Sequence, residues 1–577
     1  MIGFVGGQVP AGYSGHGKRV VSGRCRSIRK VSMEPVEKIG VSDVSGLNSI
    51  PEEIWERALG GSKFEKVKAE KDGSEMWKEI YVYAEKVRNG EITYQDIDSD
   101  DLNIRYKWAG LFHRPKATPG RFMSRLKVPN GILNSEQLRF FGEFIGRYGD
   151  DGCGDITTRM NIQLRGIVVE DAGDLVDGLN AVGLTNIQSG MDNVRNLVGS
   201  PIAGIDPHEM FDTREICKDI DNYITGDRKG NKEITNLPRK FNICVSGSRD
   251  DFAHTHINDI GLKPMKNEEG VMGFNVDIGG YFSSKRAAHS ISMDVWVHPD
   301  DVVAFCRAML LVFRDNGERK DRQKSRMMWL VEKWGLEKFR STVEERMGKT
   351  LAREAKAGPE FDTPFPRRDV LGVHPQKQEG YSWVGCRVPV GRLFAKDFFE
   401  MADVADKYSD GEMRLTVEQG IIFPNVKNEE LDTILAEPLL KRFSPVAGNV
   451  TRGLVACTGS QFCPQGIVDT KGRAVRIADL LEEELDIPEL VRMHWTGCPN
   501  SCAQVQVADI GLMGAKARIP GVKGPVDGVD IYLGGKIGEN TELGTLYKKG
   551  VPAEPEFLIP ALKEIMIERF NCTEKKS

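Results

Sequence analysis

The chain has 577 residues, about four times the ~150 of a typical domain, so several packed domains are expected and a small module is excluded. Hydrophobic residues make up 40% and charged residues 28%, ordinary for a globular protein, and no run approaches the ~18 uncharged apolar residues of a membrane span. The 79 Lys+Arg against 84 Asp+Glu leave a net charge of -5, which excludes a chain built mainly to coat nucleic acid.

Residues 1–33 carry six basic side chains (Lys18, Arg19, Arg24, Arg26, Arg29, Lys30), four serines and no acid. This composition is that of an organelle transit peptide and lacks the apolar run of a secretory signal. The alternative is a disordered basic tail. Without the leader, 73 basic residues face 84 acidic ones, a net of -11. Residues 34–105 read as an N-terminal helical segment. Its lysine-rich stretch, residues 63–71, is expected to be a solvated face, and the segment shows no catalytic signal.

An internal repeat follows. FMSRLKVPNG, starting at Phe122, aligns with SWVGCRVPVG, starting at Ser382, at an offset of 260 that puts Pro129 on Pro389 and Gly131 on Gly391. Both segments alternate like a strand ending in a turn. Leu138, Phe141, Ile145 and Tyr148 then sit at helical spacing, matched by Phe398, Met401, Ala405 and Tyr408. Thr158 corresponds to Thr416, RNLV at Arg195 to RGLV at Arg452, and DIGG ending at Gly280 to YLGG ending at Gly535, the offset drifting to about 253. A duplicated α+β unit is predicted, with halves 106–350 and 370–577 joined by a connector over 351–369. Each half divides into a smaller part (106–170 and 370–440) and a larger one (171–350 and 441–577).

The halves have diverged where chemistry is expected. Gly385 stands opposite Arg125, and Met493 and Trp495 stand opposite Lys240 and Asn242, which lie two apart in a strand-like LPRKFNICV and so share a face. Eleven cysteines are too few for a disulfide scaffold. Four of them, Cys457, Cys463, Cys498 and Cys502, form a Cys-x5-Cys and a Cys-x3-Cys pair found only in the second half. Zinc, an iron-sulfur cluster, or a chance grouping of cysteines could account for them. The x5 loop fits zinc knuckles poorly, whereas a cubane accepts wider spacing. One shared site is predicted, with anion-binding groups from the first half and a metal centre from the second.

TGCPNSC at residues 496–502, followed by Asp509-Ile510-Gly511-Leu512, and VACTGSQFC upstream resemble the sirohaem and 4Fe-4S nitrite and sulfite reductases. GRFMSRLKVPNG, GMDNVRN, NLPRKFNICV and GVHPQKQ extend the resemblance over nearly everything after the leader. The resemblance implies a three-domain α+β architecture with mixed sheets around a central sirohaem, the smaller parts of each half being ferredoxin-like half-domains. It implies that Cys457, Cys463, Cys498 and Cys502 hold a 4Fe-4S cluster, that the Cys502 thiolate also ligates the sirohaem iron, and that Arg125, Arg195, Lys240 and Asn242 bind the substrate anion. Arg159, Arg165, His113, Arg114, Arg322, Lys324 and Arg326 are candidates for holding sirohaem carboxylates. The implied activity is six-electron reduction of nitrite to ammonium, with assimilatory sulfite reduction as the alternative. Sulfite-reducing members resemble RKFK where this chain reads RKFN, and a neutral amide in place of a second cation suits the singly charged nitrite. No G-x-G-x-x-G follows a strand and opens a helix, so a separate donor, reduced ferredoxin, is expected, docking through a local basic patch onto a monomer in the plastid stroma.

Overall fold

The computed structural model describes residues 51–576, so the leader expected at residues 1–33 lies outside the described residues. Among them no helix is long and apolar enough to cross a membrane. The chain opens with helices Glu52–Leu59, Lys63–Glu70 and Met76–Arg88, the last burying Met76, Trp77, Ile80 and Ala84 at helical spacing. One sequence expectation fails here. Residues 63–71 are not simply a solvated face, because Glu65 and Lys68 are buried with side chains 1% and 0% exposed.

Strands β1 (Leu111–Arg114), β2 (Thr118–Arg125), β3 (Ile132–Asn134), β4 (Gly154–Ile156) and β5 (Ile162–Ile167) begin the first half. Four of them form an antiparallel sheet in the order β1-β2-β5-β4. Helix Ser135–Gly146 starts on a reciprocal cap in which Asn134 and Gln137 satisfy each other's backbone N–H. The larger part holds β6 (Ile243–Val245), β7 (Ile260–Lys266), β8 (Met272–Ile278), a hairpin of β9 (Tyr281–Phe282) and β10 (Ala287–Ala288), and β11 (Ile291–Val297). β6 runs parallel to β7, then β8 and β11 follow antiparallel, and residues 194–198 lie parallel beside β6 through bridges at Phe241 and Cys244.

The second half repeats the plan. β12 (Gly372–Pro375), β13 (Tyr381–Cys386), β14 (Arg392–Leu393), β15 (Glu412–Leu415) and β16 (Ile421–Lys427) precede β17 (Leu454–Ala456), β18 (Leu485–Asp486), β19 (Met493–Thr496), β20 (Ile510–Ala517), β21 (Val526–Leu533), β22 (Thr545–Pro552) and β23 (Thr573–Glu574). Again β17, β19 and β20 are parallel neighbours, followed by antiparallel β21 and β22.

The two halves exchange strands. β3 pairs with β15 of the second half and β14 pairs with β4 of the first, both antiparallel. The turn before each exchanged strand explains this: Asn130-Gly131 and Val390-Gly391 hold positive φ (54°, 70°, 45°, 69°), which throws the chain off its own sheet. Helices Ser135–Gly146 and Ala395–Tyr408 pack together at the pseudo-twofold, with the Phe141 and Phe398 rings 5.6 Å apart. Leu133, Phe141, Leu393, Phe398 and Met413 thus belong to one core. Each such buried side chain contributes about 1.5–3 kcal/mol, so the half-domains stabilise one another.

The strand expected over LPRKFNICV is shorter than its composition suggests. Only Ile243–Val245 is a strand, Phe241 makes a single bridge to Val194, and Lys240 precedes it as irregular chain after a bend at Pro238 and Arg239. Pro238 has no N–H to give a ladder, so alternation does not govern the side chains before Phe241.

Candidate active site

Cys457 follows β17 and Cys498 follows β19, and the parallel pairing of these strands sets the two sulfur-bearing loops side by side. The Cys457 N–H donates to the Trp495 carbonyl at 3.0 Å. Gly459 N and Gly497 N donate to Cys457 Sγ at 3.3 and 3.1 Å, and Asn500 Nδ2 approaches Cys498 Sγ at 3.6 Å. A Cβ on Gly497 would lie 3.1 Å from Gly459 Cα, so glycine here lets the loops close. Amides aimed at sulfur fit thiolates bound to a cluster.

Cys502 is exposed by surface area, yet desolvation and then Cys457 push its thiol up to about 12. Groups of the first half surround it. Thr158 Oγ1 donates to the Cys502 carbonyl at 3.0 Å, Lys240 lowers the Cys502 thiol pKa, and Cys502 in turn acts on Arg114, Arg125 and Arg159.

Two of the residues expected to bind the substrate anion share one acceptor. The Ser189 carbonyl accepts from both Arg125 and Arg195, each at 3.3 Å, which ties the end of β2 to the GMDNVRN loop. The Arg125 guanidinium also lies 4.5 Å from the Phe112 ring centre. Asn242 is 2% exposed, and its Oδ1 has no partner among the described residues.

Among the described residues, none of Arg114, Arg125, Arg159, Arg195, Arg239 and Lys240 forms an ion pair. Burial, and then neighbouring cations, bring Arg114, Arg125, Arg159 and Arg239 down to about 10. Burial, with Arg125 acting on Arg195 and with Arg326 and Arg239 acting on Lys240, holds these two well below their ordinary values. Such a concentration of partly buried positive charge without carboxylate partners favours an anionic occupant. A carboxylate-rich macrocycle beside a small anion fits it.

The other residues expected to hold sirohaem carboxylates are engaged with protein partners to differing degrees. Arg322 is held bidentately by Asp192 at 2.9 and 2.8 Å, Arg326 by Asp259 at 2.5 Å, and Arg165 by Asp155 at 2.8 Å. Each already has a carboxylate partner, although Asp155 also takes Arg392 and Lys471, and Asp192 also takes Lys68. Arg165 instead supports the cysteine loop, donating to Thr458 Oγ1 at 3.0 Å and stacking on Phe462. Lys324 lies on the surface. His113 has both ring nitrogens engaged, Nδ1 with Asn103 Oδ1 at 3.0 Å and Nε2 with the Gly120 N–H at 3.4 Å, and burial followed by Arg114 lowers its pKa. Of that group only Arg114 and Arg159 present uncompensated charge.

Two uncompensated cations escaped the sequence reading. Arg239 was passed over because its counterpart at an offset of 253, Arg492, is also arginine, so divergence between the halves does not mark it. Lys107, which burial and Arg114 push down to about 8, lies upstream of the repeat in RYKWAG, where no motif marks it.

Comparison with known proteins agrees with this geometry. The profile of the nitrite and sulphite reductase 4Fe-4S domain matches residues 190–351 and 447–575, and that of the nitrite/sulfite reductase ferredoxin-like half domain matches 114–182 and 374–440. The chain belongs to the nitrite and sulphite reductase family. It is 50% identical over 515 residues to the chloroplastic ferredoxin–nitrite reductase of Zea mays, covering 89% of this chain and 90% of that one. The ferredoxin–nitrite reductase of Synechococcus elongatus is 51% identical over 512 residues, covering 89% and 97%. The structure of the Mycobacterium tuberculosis NirA protein superposes with a TM-score of 0.78 at 26% identity, covering 88% of this chain and 94% of that one. The cofactors of this family member are a sirohaem and a 4Fe-4S cluster.

Proposed function

We propose that this chain reduces nitrite to ammonium with electrons from reduced ferredoxin, and that Arg125, Arg195, Lys240 and Asn242 receive the nitrite. The observation that carries this reading is the set of first-half cations without carboxylate partners, Arg195 buried and Arg125 and Lys240 partly so, gathered round Cys502 of the second half. Relatives about 50% identical are ferredoxin–nitrite reductases.

Cys457, Cys463, Cys498 and Cys502 would hold the cluster, and Cys502 would also serve the sirohaem iron. When bound, these groups supply single-electron transfer and an iron centre for the substrate nitrogen. The side chains do the rest. Arg125 and Arg195, fixed on the Ser189 carbonyl, aim guanidinium N–H groups at the nitrite oxygens and stabilise negative charge there as N–O bonds break. Lys240 carries an ammonium that burial destabilises, so it gives up protons readily, and the reaction consumes eight for every six electrons. Asn242 offers an amide where a second ammonium would favour a dianion, which favours nitrite over sulfite.

The basic leader supports a plastid location, as in the chloroplastic relative from Zea mays. The test is an absorption spectrum of the purified protein followed by turnover of nitrite and sulfite with reduced ferredoxin. The reading expects sirohaem bands and faster nitrite turnover that falls with added salt. A fully loaded protein inert toward nitrite would refute it.

A further inference from the structure

We infer that Lys68, on a helix outside both repeats, is a positioning residue for the anion-binding loops; the inference rests on the nitrite-binding reading above. Lys68 enters from helix Lys63–Glu70 with its side chain 0% exposed. Its ammonium donates to Asp192 Oδ2 at 3.1 Å and to the Leu237 carbonyl at 3.1 Å. These two acceptors belong to different segments. Asp192 lies three residues before Arg195, and Leu237 three residues before Lys240. One buried charge therefore spans the roots of both loops, whose backbones also meet through Leu237 N to Asp192 O at 2.9 Å and Arg195 N to Phe241 O at 2.8 Å.

The same helix closes the charge cluster. Glu65 pairs with Lys68 one turn away and with Arg319 at 2.8 Å, and Phe64 lies 4.1 Å beneath the Arg322 guanidinium that grips Asp192. Arg319 donates to the Asn236 carbonyl at 3.2 Å, adding a further hold on the Lys240 loop. Buried charges in such a network hold their partners in one geometry, because any displacement leaves a charge unpaired in a low-dielectric interior.

The second half lacks this brace. By the offset that puts Arg195 on Arg452, Asp192 corresponds to Asn449, a neutral side chain that reaches the Ile487 carbonyl at 2.8 Å without an inserted cation. The brace is thus built only where arginine and lysine have to be held against their mutual repulsion without a carboxylate.

The test uses the loaded full chain with nitrite as the probe. Lys68→Met should raise KM for nitrite about tenfold, with a matching rise in the nitrite concentration at the midpoint of the substrate-induced change in the sirohaem spectrum. Unliganded absorption and kcat should change less than threefold. Lys68→Arg should recover part of the affinity, and Lys63→Met, on the exposed side of the same helix, should leave KM alone. Asp192→Asn keeps the volume and reads the same linkage if Lys68→Met does not fold. Unchanged KM and spectral midpoint in Lys68→Met, or in Asp192→Asn where only that variant folds, would overturn the inference, whatever the melting temperature does. Absence of nitrite turnover in the unaltered protein would refute the functional reading instead.

Discussion

Arginines at equivalent positions of the two halves meet opposite fates. Arg452 is paired with Asp369, and Arg492 with Glu418 at 3.0 Å, a carboxylate that also takes Arg367 at 2.9 Å. Their counterparts Arg195 and Arg239 have no carboxylate partner among the described residues. By the offset that puts Thr158 on Thr416, Glu418 stands opposite Met160. The second half therefore carries an internal anion where the first leaves room for an external one. A duplicated fold shows its working site less by which cations it keeps than by which it leaves uncompensated.

Substitutions on each side of the pseudo-twofold test that contrast. Arg195→Ala should cost about 10²–10³ in kcat/KM for nitrite, since it removes a charged donor from developing oxyanions. Arg452→Ala should change kcat/KM less than twofold and lower stability by about 1 kcal/mol, measured by denaturant unfolding, because its pair is partly exposed. Equal kinetic losses in both would erase the distinction.

Glu418→Gln should destabilise the fold by about 3–5 kcal/mol, since it leaves Arg367 and Arg492 without a buried counter-charge. Acid should act in the same direction. Burial alone would raise the Glu418 carboxyl, but Arg367 and Arg492 outweigh it and hold the group far below its ordinary 4.5. With the folded value depressed, the stabilisation is complete above about pH 5, shrinks as pH falls below the unfolded value and is gone only below the folded one. The stability gap between the two proteins should therefore narrow between pH 7 and pH 3; a constant gap would show that Glu418 acts by shape alone.

A further expected effect concerns specificity. Asn242→Lys should raise the sulfite-to-nitrite ratio of kcat/KM about tenfold, replacing a buried amide whose oxygen has no partner among the described residues with a second cation. An unchanged ratio in paired assays would remove Asn242 as the discriminator.

Residue chemistry and spacing were enough to read the duplication and the cysteine quartet, and the family resemblance pointed to Arg125, Arg195, Lys240 and Asn242. Strand and helix periods survive duplication, the Cys-x5-Cys and Cys-x3-Cys spacing is local, and divergence at Arg125, Lys240 and Asn242 is visible by alignment of the halves. Charge compensation was not legible. Arg322, Arg326 and Arg165 look as available in the sequence as Arg114 and Arg159, but Asp192 lies 130 positions from Arg322 and Asp259 lies 67 from Arg326. Lys68 looked solvated because its neighbours are charged, and only packing against Asp192, 124 positions away, buries it. The exchange of β3 and β14 was equally hidden, since a two- or three-residue strand has no pattern that names its partner. The sequence by itself determined which chemical groups the protein owns and the order in which its elements form. The tertiary structure alone decided which cations are compensated, because that depends on contacts between segments far apart in the chain.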